Sequence, residues 1–226
     1  MEQVLNSPLF GISITFIAFE IGVLIYKKVK SPFCSPFILS LIFIISFLLI
    51  FNIPSSSYQK GGTIINMMLT PATAALAISM YHKIKIIKHN FLPIIIGTFV
   101  GSLVSILSII FMAKLFGLDD NITKSIIPKS VTIPIALDLS IKSGGLSSIT
   151  ITCVCITGIL GAVFSPILIK LFKIDNPVAA GLAIGTSSHG VGTAKAIEIG
   201  ETEGALSGIA IGLAGIMTVI IYMFLG

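Results

Sequence analysis

Five long apolar runs constrain the fold of this chain more than any other feature. They are almost free of charged residues and cover residues 9–26, 36–53, 91–116, 149–172 and 205–225. A helix needs about 20 apolar residues to cross the hydrocarbon core of a bilayer. Because backbone groups in lipid must be hydrogen-bonded within the protein, we expect each run to form a membrane-spanning helix.

The composition supports the same class. Hydrophobic residues make up 55% of the chain and charged residues only 10%, and the mean hydropathy is +1.09. These values are typical of integral membrane proteins. The formal net charge of +5 lies mostly in loops, so it indicates topology and no nucleic-acid partner. All 14 basic residues are lysine, so any anion must be bound without a guanidinium fork.

Three weaker apolar segments carry glycine, proline and hydroxyl side chains, and cover residues 64–81, 126–141 and 178–196. Together with the long runs they predict an all-α, polytopic integral membrane protein with about seven or eight membrane segments. We expect one domain over residues 1–226, with discontinuous or re-entrant helices. The expected helix breaks are at Pro71, Pro128, Pro134, Gly185, Gly190 and Gly192.

Lysine positions predict part of the topology. Residues 27–30 and 82–89 are lysine-rich, which predicts two cytoplasmic loops and an N-terminus outside. For the second half two alternatives stay open, because the segment around Pro128 either crosses the membrane or re-enters. Residues 170–173 lie inside only if it re-enters, which would also put the glutamates of residues 198–203 outside.

A faint internal repeat connects the weaker segments. Pro71, Pro128 and Gly185 begin similar polar stretches at intervals of 57 residues. The stretches before the last two also match, since residues 114–119 resemble residues 170–175. Related weak segments at corresponding positions are typical of the binding site of a transporter.

The stretch Pro-Lys-Ser-Val-Thr-Ile-Pro-Ile-Ala at residues 128–136 is the first candidate site. Two prolines six residues apart cannot lie in one continuous helix without freeing backbone carbonyls. Lys129, Ser130 and Thr132 would then lie where the end of a half-helix offers N–H groups to an anion. The alternative is a simple proline kink in which the hydroxyls bond back to carbonyls.

The stretch Gly-Thr-Ser-Ser-His-Gly-Val-Gly-Thr-Ala-Lys-Ala at residues 185–196 is the second candidate. Its glycines allow close backbone approach beside Ser187, Ser188 and His189. These side chains would form a polar cradle that holds a carboxylate, and His189 could carry a proton. The alternative is a histidine with a purely structural hydrogen bond.

Three further residues are weaker candidates. Lys195 would supply a positive charge to the cradle, or would extend to the membrane interface. Thr73 would contact a substrate from the segment at Pro71, although a helix kink explains that motif equally well. Asp138 would couple transport to a proton or cation, or would pair with a lysine.

Enzymatic activity is not expected. Ser187, Ser188 and His189 are neighbours in sequence, whereas a nucleophile and its base normally come from different segments. The chain shows no metal-ligand spacing and no phosphate loop, so we expect no metal and no cofactor.

Three motifs in order resemble the LrgB/CidB family, whose members are often labelled holin-like or antiholin-like. They are Leu-Thr-Pro-Ala-Thr-Ala-Ala-Leu-Ala at residues 69–77 and the stretches at 128–136 and 185–196. Residues 58–62 and 142–146 extend the similarity over nearly the whole chain. One departure is Lys195, where we expect arginine in many relatives.

The resemblance implies a multi-pass protein of the bacterial inner (plasma) membrane. It implies a transport component for small monocarboxylates, of the pyruvate, glycolate or glycerate class. The expected partners are the lipid bilayer, a small holin-like membrane protein of the LrgA/CidA type and further copies of the same chain. The alternative function is an antiholin-like regulator of murein hydrolase activity and autolysis.

Overall fold

The computed structural model describes residue 5, residues 7–29 and residues 34–225, and every regular element in these residues is a helix. The chain forms two compact units, Met1–Ala75 and Leu76–Gly226. The single domain expected over residues 1–226 stays a prediction.

The first unit contains three helices: α1 (Pro8–Val29), α2 (Pro36–Ile50) and α3 (Ser55–Met67). Helix α1 packs against both others. The Oγ1 atom of Thr15 in α1 lies 3.0 Å from the Oη atom of Tyr58 in α3. This polar contact links the apolar α1 to the more polar α3.

Helix α4 (Leu69–His82) extends across the boundary between the units. Pro71 lies in its first turn, where a missing N–H group breaks no hydrogen bond within the helix. The interruption between α3 and α4 falls at Met68.

The second unit continues with seven helices and one 3₁₀ turn. They are α5 (Ile84–His89), α6 (Phe91–Phe116), α7 (Asp120–Ile126), the 3₁₀ turn (Ile127–Ser130), α8 (Ile133–Ser143), α9 (Ser147–Leu171), α10 (Pro177–Ile199) and α11 (Glu201–Leu225).

Within the described residues, four helices are long and apolar enough to cross a membrane: α1, α6, α9 and α11. Helix α2 is apolar but has only 15 residues. The prediction of an all-helical membrane protein is therefore confirmed, whereas the count of seven or eight segments is not.

Residues 120–143 turn back on themselves and form what we call the first hairpin. The backbone N–H of Leu146 donates to Ser125 Oγ at 2.6 Å, so the chain leaving the hairpin touches its first arm. Tyr222 donates to Ser143 Oγ at 2.7 Å, and both residues line a small cavity with Lys114, near the end of α6. The hairpin therefore begins and ends at one end of the unit, which we call the Tyr222 end.

Helix α10 also reverses direction and forms the second hairpin, residues 177–199. His189 interrupts its helical backbone with φ 40° and ψ −136°. Before His189, Gly185 packs against the backbone of Ser207 in α11. After it, Thr193 Oγ1 lies 2.7 Å from Ser207 Oγ, and Ile197 packs against Gly204. The first arm therefore runs along α11 towards its middle, and the second arm runs back.

The second hairpin begins and ends at the opposite end of the unit, which we call the Glu201 end. Ile94 at the start of α6 packs with Leu206 of α11 and Val178 of the second hairpin. Lys83 pairs with Glu201 there at 2.9 Å. Helix α6 therefore runs from the Glu201 end to the Tyr222 end, and α9 runs the opposite way.

The two hairpins belong to an inverted repeat. Helix α6 is followed by a hairpin at the Tyr222 end, and α9 is followed by one at the Glu201 end. The backbone is extended at Thr132, the N-cap of α8, 57 residues before the break at His189. Because Pro128 and Gly185 are separated by the same interval, these two members of the faint repeat correspond to a repeat in the structure, whereas Pro71 lies in the first turn of α4.

One expectation about topology was wrong. Re-entry of the first hairpin was expected to separate residues 170–173 from the glutamates of residues 198–203. That inference assumed that residues 178–196 cross the membrane, but they turn back at His189. Glu201 consequently lies beside Lys83, at the same end as the end of α9.

Candidate functional site

The turns of both hairpins line one cavity within the second unit. Its volume is about 1090 Å³, and it lies between α6, α9, the first turn and the first arm of the second hairpin. Its polar lining residues are Ser105, Ser108, Lys129, Ser130, Thr157, Ser165, Thr186, Ser187 and Ser188.

The first hairpin contributes Lys129 and Ser130. Pro128 lies in the 3₁₀ turn with a non-helical ψ of 20°, which ends the first arm and directs the next two residues into the cavity. Lys129 Nζ donates to Ser130 Oγ at 3.4 Å, and Ser130 Oγ lies 2.8 Å from Ser105 Oγ of α6. Ser130 is only 9% exposed. The ammonium group therefore begins a short polar chain that ends on a membrane-spanning helix.

The second hairpin contributes three consecutive hydroxyl residues. Ser187 Oγ lies 2.9 Å from Ser188 Oγ and also donates to the carbonyl oxygen of Ala183 at 2.8 Å. Ser188 is 1% exposed and packs against Gly161 of α9, where any side chain would collide with it. Close contact with α9 therefore depends on a glycine at position 161.

Thr186 is more than nine-tenths buried and lines the cavity, yet its Oγ1 atom has no hydrogen-bond partner among the described residues. A buried hydroxyl without a partner costs about 1–3 kcal/mol. A polar ligand in the cavity would remove that cost.

The backbone also changes course at the two turns. In the second hairpin the helical φ/ψ values are interrupted at His189, directly after Ser188. Helix α8 begins at Ile133, and Thr132 at its N-cap makes no side-chain hydrogen bond to the first turn. Such N-terminal N–H groups favour anions.

His189 does not line the cavity. Its ring is buried against α9, where Nε2 lies 3.0 Å from the carbonyl oxygen of Val154. The ring lies over Gly158, which leaves room for it because it has no side chain. The geometry indicates that His189 holds the second turn against α9.

The other predicted residues lie outside the cavity. Thr132 is the N-cap of α8, two residues after Ser130 of the first turn. Lys195 pairs with Glu198 at 2.7 Å. Asp138 pairs with Lys142 at 2.7 Å, and both side chains are exposed. The side chain of Thr73 lies outside the described residues.

The predicted helix breaks occupy different positions within the two hairpins. Pro134 lies in the first turn of α8, where a proline starts a helix. Gly185 lies within the first arm, and Gly190 and Gly192 follow the second turn. The break expected at these glycines falls at His189 instead, with a positive φ that is uncommon for residues other than glycine.

Sequence reasoning missed the contribution of the long helices. Ser105 on α6 and Cys153 and Thr157 on α9 line the cavity. Isolated small polar residues in an apolar run carry no distinguishing signal, because they bond equally well to their own helix. In the residues that the structure describes, no three His, Cys, Asp or Glu side chains converge on a metal site.

Comparison with known proteins gives a consistent family. The model of the LrgB-like family matches residues 15–226. The uncharacterized protein YwbG of Bacillus subtilis (strain 168) is 37% identical over 201 residues, which are 89% of each chain. The antiholin-like protein LrgB of the same strain is 37% identical over 216 residues, 95% of this chain and 94% of that protein.

The antiholin-like protein LrgB of Bacillus cereus (strain B4264) is 35% identical over the same shares of the two chains. No solved structure gives a significant match. The family match extends over both hairpins and includes all three motifs on which the resemblance was based. The predicted resemblance is therefore confirmed, and this chain belongs to the LrgB-like family.

Proposed function

We propose that this protein carries small monocarboxylates, of the pyruvate, glycolate or glycerate class, across the bacterial plasma membrane. The observation that carries the proposal is the cavity between two hairpins that enter the second unit from opposite ends, with Lys129 as its charged group. Related broken segments that meet in this way are the usual arrangement of a substrate site in secondary transporters.

The carboxylate would bind at the two turns. Lys129 supplies the opposite charge, and the hydroxyls of Ser130 and Ser188 supply hydrogen bonds. Ser187 would do so by turning its hydroxyl away from the Ala183 carbonyl. Thr186 offers a further hydroxyl that has no described partner. Charge-assisted hydrogen bonds of this kind are about twice as strong as neutral ones, which would offset the cost of removing the anion from water.

The inverted repeat supports an alternating-access mechanism. The cavity extends from the turns along the first arm of the second hairpin to Leu168 and Ala179, near the Glu201 end. Lysines are more numerous at that end than at the other: Lys83, Lys85, Lys88, Lys170, Lys173 and Lys195, against Lys114, Lys124 and Lys142. By the positive-inside rule the Glu201 end is cytoplasmic, so the cavity extends towards the cytoplasm.

His189 would act as a positioning residue. Its hydrogen bond to Val154 fixes the second turn, and with it Ser187 and Ser188, against α9. A proton-carrying role is the alternative for this residue, and the two roles differ in the pH dependence of uptake.

A small membrane protein of the LrgA/CidA type and further copies of this chain are the proposed partners. Small residues allow close helix approach in lipid, and a methyl group at Gly212 on α11 would contact no neighbouring residue among those that the structure describes. Gly204 and Gly208, by contrast, already contact Ile197 and Met80 within the second unit.

An antiholin-like regulator of murein hydrolase activity is the second candidate. The observation that favours it is that two relatives at 35–37% identity are named antiholin-like protein LrgB. This naming supports the regulator more directly than it supports transport. The regulator predicts lysis phenotypes that persist when Lys129 is replaced.

Uptake into proteoliposomes tests the carrier. Radiolabelled pyruvate and glycolate would be offered to the purified protein, alone and with its small partner, beside Lys129→Met and the matched control Lys124→Met. Lys124 pairs with Asp120 outside the cavity. Saturable uptake that Lys129→Met reduces at least tenfold, and Lys124→Met does not, supports the carrier. If the folded protein shows no uptake either alone or with its small partner, the carrier proposal is contradicted and the regulator remains.

A further inference from the structure

We propose that the preferred ligand of the cavity is a monoanion with an apolar chain, bound with its carboxylate at the hairpin turns and its chain towards Leu168. This inference rests on the proposed function and adds a substrate preference to it. Three properties of the cavity carry it: its charge, its wall and its volume.

The charge of the lining selects a single negative charge. Among the described residues that line the cavity, Lys129 is the only one with an ionised side chain. A second carboxylate on the ligand would lie against the apolar wall without an opposite charge. A charge on an apolar surface without a partner is unfavourable, so dicarboxylates would bind more weakly.

The wall beyond the turns is apolar. It is formed by Val100, Val104, Ile156, Leu160, Phe164 and Leu168 of the two long helices. Ser165 is also in this region, but its hydroxyl bonds to the carbonyl of Gly161 in its own helix. Ser108 likewise donates to the carbonyl oxygen of Ser105 at 2.8 Å. These two hydroxyls are therefore already satisfied, and the wall favours hydrocarbon.

The volume of about 1090 Å³ exceeds what a two- or three-carbon acid requires. Pockets of roughly 300–1,000 Å³ hold ligands of drug size. A short acid would fill only the polar part at the turns and leave the apolar wall unoccupied. Each methylene of an apolar chain that leaves water for this wall would raise the affinity roughly fourfold.

Cys153 provides a reporter for the test because it lines the same cavity as Lys129. The chain has three cysteines, so replacing Cys34 and Cys155 with alanine leaves Cys153 alone. The rate at which N-ethylmaleimide alkylates Cys153 would be measured in the purified full-length protein. Acetate, butyrate, hexanoate, pyruvate and succinate would each be titrated as protecting ligands.

The expected result is a half-protecting concentration that falls by about fourfold per methylene from acetate to hexanoate. Succinate would need at least a tenfold higher concentration than butyrate. Lys129→Met would raise the half-protecting concentrations of all monocarboxylates by a similar factor. Leu160→Ser would flatten the dependence of this concentration on chain length and leave the value for acetate unchanged.

Ile167→Ser is the matched control, since Ile167 lies on the same helix and is 40% exposed, against 49% for Leu160, but does not line the cavity. It should leave the whole series unchanged. Equal protection by acetate, pyruvate and hexanoate, or equal protection by succinate and butyrate, overturns this inference and leaves the carrier standing. Failure of every carboxylate to protect Cys153, together with no uptake, overturns both.

Discussion

The Nε2 atom of His189 lies 3.0 Å from the carbonyl oxygen of Val154, and this contact joins the second turn to the middle of α9. The same residue holds the backbone at φ 40°, which glycine adopts readily and other residues rarely do. One residue therefore has two roles. Its strained backbone forms the turn, and its ring anchors the turn to α9. The ring can reach α9 because position 158 is a glycine.

Replacing His189 with glycine and with alanine separates these two roles. Both variants lose the ring, but only glycine relieves the strained backbone. We expect His189→Gly to be more stable than His189→Ala by about 1 kcal/mol. The apparent melting temperature in detergent should then differ by about 2–4 °C. Equal melting temperatures would mean that the turn does not require a positive φ at this position.

Replacing His189 with glutamine tests positioning against proton transfer. A glutamine amide can donate a hydrogen bond to the Val154 carbonyl, but it does not titrate. We expect His189→Gln to retain uptake within about threefold, with the pH profile of the wild-type protein, whereas His189→Ala loses uptake. A pH profile that becomes flat in His189→Gln would assign the proton to His189.

Ser105 is the residue that sequence reasoning missed and whose contact with the site is most direct. Ser105→Ala removes the partner of Ser130 Oγ at 2.8 Å, which should weaken the site by about 1 kcal/mol. We expect the KM for uptake to rise about fivefold with little change in kcat. Ser108→Ala is the control, because Ser108 bonds to its own helix, and its KM should stay within about twofold. Equal effects of the two variants would remove Ser105 from the site.

Close packing of the second hairpin on α11 predicts opposite effects at two glycines. A methyl group at Gly185 would collide with the Ser207 carbonyl oxygen, so Gly185→Ala should cost about 1–3 kcal/mol. Gly212 has open space around it, so Gly212→Ala should stabilise its helix by about 0.5–1 kcal/mol. Melting temperatures in detergent would show whether each variant is stabilised or destabilised. A Gly185→Ala protein as stable as the wild type would contradict this packing.

The long helices could be predicted from the sequence because hydropathy is a local property. The apolar run at residues 91–116 coincides with α6, and the run at 149–172 lies within two residues of α9. The prolines at 128 and 134 likewise indicated an interruption in the first hairpin. The direction of the chain after an interruption is not local, however. It depends on contacts such as Tyr222 with Ser143, which are 79 residues apart.

The candidate site was only partly predictable for the same reason. Lys129, Ser130, Ser187 and Ser188 lie in segments whose polarity is anomalous for a membrane, so they were identified from the sequence and do line the cavity. Lys195 has the same anomaly but pairs with Glu198, a contact that spacing alone did not distinguish from a role in binding.

We propose that the two hairpins enter from opposite faces of the membrane and bring their turns to one site. Labelling with a membrane-impermeant maleimide tests it most directly. Single cysteines would be introduced by Asp119→Cys, Ser147→Cys, Asp175→Cys and Glu198→Cys, in protein whose three native cysteines are replaced by alanine. Positions 119 and 147 lie at the two ends of the first hairpin, and positions 175 and 198 lie at the two ends of the second.

We expect positions 119 and 147 to be labelled from one face of reconstituted vesicles. Positions 175 and 198 should be labelled only from the other face. Labelling of positions 119 and 147 from opposite faces would mean that residues 120–143 cross the membrane. The inverted repeat and the shared site would then both be contradicted.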